Sequence, residues 1–433
     1  MEAKEKIKQL GEIQPKILPK KFEYKKNVVA LVKLDDYNPE NVKKALEKIF
    51  DLLDLKGYFK NKKILLKPNL LAPNKLAHTN PSIITELIKI LRENENPKEI
   101  ILGDSSITKG ITSVSLKRSK IKALCDQLNV QTFNFFESKR QFIEIKNPEP
   151  EIEEGLYLPE EVINSDVLIN LPKLKTHKGY VYTGAIKNLF GLLGNKMHMH
   201  FVHKIKDDFQ KMLADIYFSV EETNKTNFPK VLTIMDSVIA MEGKGPRAGK
   251  PRKVGLLIAG FNSAAVDIVG YTLMNGKPAN LEAINSLAKR VNLPVDISKL
   301  NIIGEIDYKK YIIKNFKKPN IKTLIKSQVP RKGIIAKIYD RAMSISIKIN
   351  KKKCVLCEHC LRNCPAGAMY RKEDRIFVDY EKCVECFCCG ESCPNDAIDA
   401  KWYLFRILPY LIGGIALLIL IIIYYILTLF GIF

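Results

Sequence analysis

The stretches CVLCEHCLRNCP (residues 354–365) and CVECFCCGESCP (residues 383–394) carry one cysteine pattern twice near the C-terminus. Each copy reads C-x2-C-x2-C-x3-C-P. Three cysteines at this spacing surround one corner of an iron–sulfur cubane, whereas the fourth points away and ligates the other cluster. The pattern therefore predicts a small α+β module over residues 351–400 that holds two [4Fe–4S] clusters.

The exchange of the fourth cysteine predicts two ligand sets. One cluster takes Cys354, Cys357, Cys360 and Cys393, and the other takes Cys383, Cys386, Cys389 and Cys364. The segment resembles the two-cluster bacterial-type ferredoxins over residues 350–400. Zinc is the alternative, but zinc knuckles usually combine paired C-x2-C units with a longer spacer.

The other two cysteines are expected to be small packed residues. Cys125 lies in an amphipathic stretch, and Cys388 adjoins Cys389, where an exchange of ligands is left open. Since most cysteines fall in one short stretch instead of being spread through loops, disulfides are a poor explanation for them. We infer a reducing compartment.

A long run without charged side chains ends the sequence. No Asp, Glu, Lys or Arg follows Arg406 through Phe433. A helix over 407–433 would be about 40 Å long, against about 30 Å of bilayer hydrocarbon. The run predicts one C-terminal transmembrane helix, a single-pass tail anchor. Lys401 and Arg406 at its near end predict that the soluble domains lie on the cytoplasmic side.

The formal net charge of +23 favours anionic small molecules, acidic redox partners or an anionic membrane surface. Nucleic acid is not expected as a partner, because no binding motif accompanies the charge and lysine is abundant along the whole chain. Residues 351–400 are close to neutral, so the excess of positive charge lies upstream of the cysteine motifs.

Residues 1–316 alternate short apolar runs with longer amphipathic stretches. Strands are predicted at 28–32, 63–67, 99–103, 166–171, 230–235 and 254–259, and helices at 40–55, 81–94, 112–127, 205–222, 263–274 and 280–291. Continuous apolar strands separated by helices are typical of an α/β domain with a largely parallel sheet and flanking helices. Dinucleotide-binding and P-loop motifs are absent from the sequence.

Residues 317–350 are basic, and Pro319 and Pro330 interrupt them. They predict a connector between the α/β domain and the cysteine module, with 334–349 as an amphipathic helix.

Four polar segments follow predicted strands, where α/β proteins build their sites. They are Lys67-Pro68-Asn69 with His78 downstream, Lys173-Leu174-Lys175-Thr176-His177, Thr183-Gly184-Ala185-Ile186-Lys187-Asn188 with Gly191, and Glu242-Gly243-Lys244-Gly245-Pro246. In this order they resemble the K-P-N, K-x-K-x-H, T-G-x-x-K-N-x-x-G and E-G-x-G-P motifs of domain-of-unknown-function family 362, over residues 27–275. The resemblance implies an α/β fold and one shared site, and no settled activity comes with it.

The lysines and amides of these segments predict a pocket for a carboxylate or phosphate. The ammonium group of lysine is a positive charge on a flexible side chain and can donate three hydrogen bonds. The predicted catalytic residues are His177, Lys173, Lys187 and Asn188. The predicted cofactor-binding residues are Lys67, Asn69, His78, Lys175, Gly243 and Gly245, the two glycines as a backbone nest for an anion.

A further metal or anionic cofactor is left open by the run His198, His200 and His203. Imidazole is a common metal ligand, but these three rings converge only if the segment is irregular, because i and i+2 point apart on a helix. Anion binding and acid–base work are the alternatives. Asp236, Glu242 and Asp267 are acceptable ligands or bases, although such residues often cap helices.

Together these patterns predict a membrane-anchored iron–sulfur protein that transfers electrons between a redox partner protein and an anionic substrate or cofactor in the α/β domain. One alternative is a pure electron carrier whose α/β domain docks a partner enzyme. Another is an iron–sulfur or metal assembly factor. Convergence of the catalytic candidates in a concave site near a cluster favours the enzyme, whereas their dispersal over a flat face favours the docking module.

Overall fold

The computed structural model describes residues 19–318 and 345–402, apart from 72–74, 107–108, 195, 197, 200–201, 204–207, 225 and 248. The strands are β1 Val28–Lys33, β2 Lys63–Pro68, β3 Glu99–Asp104, β4 Gln131–Asn134, β5 Arg140–Glu144, β6 Gly155–Pro159, β7 Val167–Leu171, β8 Lys173–His177, β9 Val181–Thr183, β10 Val231–Glu242, β11 Lys250–Gly260, β12 Asn301–Ile303, β13 Ile345–Ile349, β14 Met369–Lys372, β15 Arg375–Val378 and β16 Ile398–Trp402.

The α-helices are α1 Lys20–Glu23, α2 Pro39–Leu53, α3 Pro81–Ile90, α4 Lys109–Arg118, α5 Ile121–Gln127, α6 Glu160–Ile163, α7 Ala185–Asn188, α8 Phe209–Glu222, α9 Ser263–Leu273, α10 Glu282–Arg290, α11 His359–Arg362 and α12 Cys388–Ser392. Short 3-10 turns lie at Lys75–Ala77, Leu189–Leu192, Pro278–Asn280, Ile297–Lys299 and Tyr308–Tyr311, and a π-helical turn at Leu91–Glu95.

One sheet organises the N-terminal part. Among the described residues it has ten strands in the order β12-β1-β11-β10-β7-β2-β3-β4, with β8 beside β10 and β9 beside β8. The pairs β12–β1, β10–β7, β10–β8, β7–β2, β2–β3 and β3–β4 are parallel, whereas β1–β11, β10–β11 and β8–β9 are antiparallel. The prediction of an α/β domain with a largely parallel sheet is confirmed.

The central strands β2 and β7 are buried on both faces of the sheet. Leu65 and Leu168 pack into one hydrophobic core, and their neighbours Leu66 and Ile169 pack into the other. Because side chains alternate between the two faces of a strand, burial on both faces requires continuous apolar runs. These runs are the signal from which the sequence predicts the strands.

Asparagine caps decide where three of the flanking helices begin. The side chains of Asn38, Asn80 and Asn262 each accept a backbone N–H two residues further on, at 2.9–3.0 Å. Such a bond satisfies one of the free N–H groups in the first helical turn. Pro39 and Pro81 follow at the first helical position, where a missing N–H costs nothing. Asn38, Asn80 and Asn262 are therefore the N-caps of helices α2, α3 and α9.

The C-terminal module is built from two short strand pairs and two short helices. Strand β13 pairs with β16 and β14 with β15, both antiparallel. The sequence predicted a helix over 334–349, but Ile345–Ile349 form strand β13, whose isoleucines at every second position match the period of a strand. Residues 319–344, most of the predicted connector, lie outside the described residues.

No helix in the described part of the chain is long and apolar enough to cross a membrane. The longest helix among the described residues, α2, has 15 residues and spans about 22 Å, less than the bilayer core of about 30 Å. On this finding the fold class is corrected to the α/β domain and the small module without the predicted transmembrane helix. The predicted membrane localisation, a single-pass tail anchor, is withdrawn with it. Residues 407–433 lie outside the described residues.

Candidate functional site

The carboxyl ends of β2 and β3 lie side by side and bring two charged side chains together. Lys67 near the end of β2 is buried, and its Nζ donates to Asp104 Oδ1 at the end of β3, at 2.5 Å. Burial lowers the pKa of Lys67 and raises that of Asp104. A Cβ at Gly191 would lie 2.5 Å from Lys67 Nζ and 2.4 Å from Asp104 Oδ1, so only glycine lets the chain pass here.

Three asparagines form a chain of hydrogen bonds beside this ion pair. Asn69 Nδ2 donates to Asn188 Oδ1 at 2.7 Å, and Asn188 Nδ2 donates to Asn170 Oδ1 at 2.8 Å. Asn170 Nδ2 in turn donates to the Ala185 carbonyl at 3.0 Å. The chain fixes the orientation of every amide, and it leaves Asn69 Oδ1 to accept from Lys175 Nζ at 2.5 Å.

These groups border a cavity lined by Asn69, Asp104, Lys175, His177, Lys187, Asn188, Lys196 and Glu391, among others. Lys175 donates only to neutral oxygens, Asn69 Oδ1 and the Ala77 carbonyl. Lys196 likewise donates to the carbonyls of Ser105 and Ser106. The cavity wall therefore presents ammonium groups without a carboxylate of their own.

Lys187 is the ammonium group with the fewest partners. Within the described residues it forms no hydrogen bond or ion pair, and its Nζ lies 5.2 Å from the ring centroid of Tyr180 and 5.8 Å from that of Phe190. Burial lowers the pKa of Lys187. Burial, and next the charge of Lys187, lower the pKa of Lys175 to about 7. The side of the cavity formed by these two lysines is strongly electropositive.

His177 faces the cavity with a defined proton. Its Nδ1 accepts the backbone N–H groups of Gly179 and Tyr180 at 3.1 and 3.2 Å. The proton of the neutral ring therefore lies on Nε2. Nε2 is 2.8 Å from Glu391 Oε1, which comes from the C-terminal module. Burial and the nearby Lys187 lower the pKa of His177 to about 4, so the ring is neutral near pH 7.

The C-terminal module is held against the α/β domain by further polar contacts around Glu391. Asp399 of β16 pairs with Lys178 at 2.5 Å and with Lys244 at 3.2 Å. The guanidinium of Arg247 donates to the Glu391 carbonyl. These contacts place helix α12, which carries Glu391, at the mouth of the cavity.

Cysteines from both motifs of the module lie close to one another. One cavity is lined by Cys354, Cys357, Cys360 and Cys393, three from the first motif and the fourth from the second. In the other set, Cys383 lies near Cys386 and Cys364. The sulfurs of Cys364 and Cys393 each accept a backbone N–H, from Ala368 and Ala397, at 3.2 Å. Thiolates spread around a cavity, with backbone donors to sulfur, fit an iron–sulfur cubane.

Comparison with known proteins agrees with these two parts. Residues 64–272 match a family model described as a domain of unknown function, DUF362. Residues 346–394 match the model of a 4Fe-4S dicluster domain. The two models thus match in the order that the sequence motifs predict, and the matched parts are called the DUF362 domain and the dicluster domain. The second part is thus a ferredoxin-type iron–sulfur module, and electron transfer is its chemistry.

A curated relative of this chain is the Synechocystis sp. thylakoid-associated protein sll1697. It is 28% identical over 313 residues, which cover 70% of this chain and 91% of that protein. Among solved structures, the lactate racemase apoprotein from Thermoanaerobacterium thermosaccharolyticum has 14% identity and a TM-score of 0.35. That match covers 57% of this chain and 58% of the other, so it spans little more than half of either protein.

Several predicted residues of the DUF362 domain lie outside the cavity lining. Lys173 donates to Asp236 Oδ2 at 2.8 Å and to the Tyr37 hydroxyl at 2.7 Å. His78 is buried near the end of β2 without lining the cavity. The backbone N–H groups of the two predicted nest glycines are already used. Gly243 donates to the Lys317 carbonyl, and Gly245 to Thr176 Oγ1.

The acidic candidates of the DUF362 domain have structural partners. Asp267 accepts the backbone N–H groups of Ala185 and Ile186 at 2.6 and 3.0 Å, and so fixes the start of α7, which carries Lys187 and Asn188. Burial raises the pKa of Asp267 to about 6. Asp236 is the partner of Lys173. Glu242 accepts the Lys317 N–H.

The histidine run gives no metal centre in the part of the chain that the structure describes. His203 is buried between Asp208 Oδ1 at 2.7 Å and Glu153 Oε1 at 3.0 Å. His198 is exposed, and His200 lies outside the described residues. Nowhere in the described ranges do three His, Cys, Asp or Glu side chains group closely enough to hold a single metal ion.

Three charged residues of the cavity lining were missed at the level of sequence. Asp104 ends the apolar run EIILGD, so the rule that places sites at strand ends would have found it. Lys196 gives no local signal in so lysine-rich a chain. Glu391 lies within the second cysteine motif of the dicluster domain, and only the docking of two domains brings it to the cavity.

Proposed function

We propose that this protein is an oxidoreductase in which the dicluster domain exchanges electrons with an anionic substrate or cofactor held in the DUF362 domain. One observation carries the proposal. Glu391 lies on α12 between the ligand candidates Cys389 and Cys393, and it lines the same cavity as His177 and Lys187. The cation-rich cavity and the electron-transfer module are therefore adjacent.

The proposal includes two [4Fe–4S] clusters, with the ligand sets exchanged between the motifs as predicted. When bound, such clusters supply or accept single electrons. Cys360 interacts with Cys393 and Cys354 of its own predicted set, and Cys389 interacts most with Cys386, Cys383 and Cys364 of its own set and least with Cys360 of the other, which supports the two sets.

The side chains of the DUF362 domain have distinct roles in this proposal. Lys187 binds the anionic group of the substrate, since its ammonium group forms no salt bridge with a described residue and lies beside the rings of Tyr180 and Phe190. Asn69 and Asn188 hold Lys175 in place through their amide chain. His177 holds a proton at Nε2, which faces Glu391 Oε1 at 2.8 Å in the cavity wall, and the neutral ring can donate a hydrogen bond there at neutral pH.

The electron-carrier alternative makes no use of these features. A docking module needs an exposed complementary face, whereas Lys175, His177 and Asn188 are buried around one concave site. The metal assembly factor requires an additional metal site, and the described residues of the histidine run do not form one. We therefore favour the oxidoreductase.

The test begins with the full-length protein purified without oxygen. Two cubane clusters predict about eight iron per chain. The dithionite-reduced protein is then mixed with pyruvate, fumarate or flavin mononucleotide, and reoxidation of the clusters is followed by visible absorbance. We expect at least one of these anions to reoxidise the wild type several-fold faster than Lys187→Met.

Two results would overturn the proposal. Equal reoxidation rates in the wild type and in Lys187→Met for every anionic oxidant would favour the electron carrier. Zinc in place of most of the iron would reject the clusters themselves. Lys60→Met is the matched control, because Lys60 is an exposed lysine remote from the cavity and should change nothing.

A further inference from the structure

The charges around the cavity do not balance. Lys67 is compensated by Asp104, and Lys173, behind the cavity, by Asp236. Three more ammonium groups line the cavity, those of Lys175, Lys187 and Lys196. Among the described residues of the lining, Glu391 supplies the one further carboxylate, and His177 is neutral. When all three lysines are protonated, the site has two positive charges in excess.

Such an excess is costly inside a protein. Lys175 and Lys196 are buried, and their hydrogen-bond partners are carbonyl and amide oxygens. Lys187 is partly buried, and its Nζ lies 5.2 Å from the ring centroid of Tyr180. Neutral partners satisfy the N–H groups without cancelling the charge. The lowered pKa of each of the three lysines is in keeping with this imbalance.

We propose that the natural occupant of this cavity is a dianion, either a dicarboxylate or a compound with a phosphate group. The inference rests on the proposed function and narrows its anionic substrate to one charge class. Two negative charges would neutralise the site, whereas a monoanion would leave one buried positive charge unpaired.

The position of Glu391 adds a second restriction on the occupant. Its Oε1 is 2.8 Å from His177 Nε2, so the negative carboxylate lies on the His177 side of the cavity. The anionic groups of the occupant therefore contact the ammonium groups and stay clear of Glu391 Oε1, although Lys187 itself lies within electrostatic range of Glu391. Near His177 and Glu391 the occupant should present a neutral group that can hydrogen-bond.

The experiment measures anion binding to the full-length, cluster-loaded protein by isothermal titration calorimetry at low ionic strength. Sulfate and perchlorate are the key probes, because both are tetrahedral oxyanions and they differ in charge. Succinate is the dicarboxylate probe. We expect sulfate or succinate to bind roughly tenfold or more tightly than perchlorate, in line with one further charge-assisted interaction. Preference between sulfate and succinate then distinguishes a phosphate-like ligand from a dicarboxylate.

Variants locate the binding. Lys187→Met should weaken sulfate binding roughly tenfold, since it removes one charge-assisted contact. Lys187→Arg keeps the charge and should bind within a few-fold of the wild type, which protects the test if the methionine variant folds poorly. Lys60→Met, on the surface, should bind as the wild type does.

The outcomes separate this inference from the proposed function. Equal binding of sulfate and perchlorate would overturn the dianion, because the clusters would then already balance the lysines, and it would leave an anionic substrate in place. Binding of no anion at all, in protein with full iron, would overturn both. Sulfate binding that Lys187→Met leaves unchanged would place the anion elsewhere and overturn the inference.

Discussion

His177 of the DUF362 domain and Glu391 of the dicluster domain face each other at 2.8 Å between Nε2 and Oε1, in the wall of one cavity. Neither domain alone completes this wall. The pairing links a neutral imidazole with a defined proton to a helix that carries the ligand candidate Cys389.

Replacement of Glu391 by Gln should strengthen anion binding. The carboxylate attracts the surrounding lysines and repels an incoming anion, so its removal raises the positive potential of the cavity. At an effective dielectric constant of about 20 the repulsion amounts to a few kcal/mol before screening. Solvent and salt screen it to about 1 kcal/mol, which corresponds to roughly a three- to tenfold gain in sulfate affinity. Calorimetry measures it. Glu381→Gln, an exposed change in the same domain, is the control, and weaker binding in Glu391→Gln would contradict the prediction.

Gly191→Ala should destabilise the DUF362 domain. The new Cβ would lie 2.4–2.5 Å from the Lys67–Asp104 pair, which cannot move apart without unpairing two buried charges. We expect a loss of about 1–3 kcal/mol in the free energy of unfolding, the range of overpacked cores. Gly110→Ala is the matched control. A Cβ at Gly110 meets nothing within 4 Å, and helix α4 should become slightly more stable. Equal unfolding midpoints for the two variants would refute the steric argument.

Sulfate binding should weaken as the pH rises through about 7. Lys175 has a pKa of about 7 in the free protein, so it is charged below that pH and neutral above it. The like charges that face it are Lys187 and Lys173, and the opposite charges are Glu391 and Asp104. Binding of an anion favours the charged form, so binding at pH 8 should also take up protons, which calorimetry in buffers of different ionisation enthalpy detects. Lys175→Met should remove the dependence near pH 7. A flat profile in the wild type would contradict this role of Lys175.

Cys393→Ser should remove a ligand of the cluster held by the first motif, although Cys393 belongs to the second. The cavity lined by Cys354, Cys357, Cys360 and Cys393 implies this exchange. We expect iron to fall from about eight to about four per chain, with the signal of one reduced cluster lost in electron paramagnetic resonance. Cys388→Ser, a neighbouring buried cysteine outside both ligand sets, should retain the full iron content. Loss of iron in Cys388→Ser would instead point to a ligand exchange there.

The sequence predicts the sheet well because the central strands are buried on both faces and so form unbroken apolar runs. The sequence also predicts Lys175, His177 and Asn188 as site residues, and all three line the cavity, the first two from β8 and the third from α7. Lys173 is different. Strand alternation suggests that it shares a face with Lys175, but the pairing of β8 with β10 is irregular, with Lys173 opposite Asp236 and Lys175 opposite Met241. Because of that irregularity Lys173 pairs with Asp236, and no local sequence pattern predicts the irregularity.

The part that sequence could not give is the meeting of the two domains. Glu391 lies among cysteines, where a glutamate is expected to be solvent-exposed, yet it is buried against His177. The contact depends on Lys178 and Lys244 both reaching Asp399, a relation between distant segments. Contacts of this kind have no period or spacing along the chain.

Helix α12 has only five residues, and it carries both the ligand candidate Cys389 and the cavity carboxylate Glu391. A body so short moves as a unit. Thermodynamic reciprocity then requires that, if an occupant of the cavity changes the reduction potential of the neighbouring cluster, reduction changes the affinity for that occupant by the same factor. Binding of the substrate and reduction of the cluster would thus be thermodynamically coupled, and helix α12 would carry the coupling.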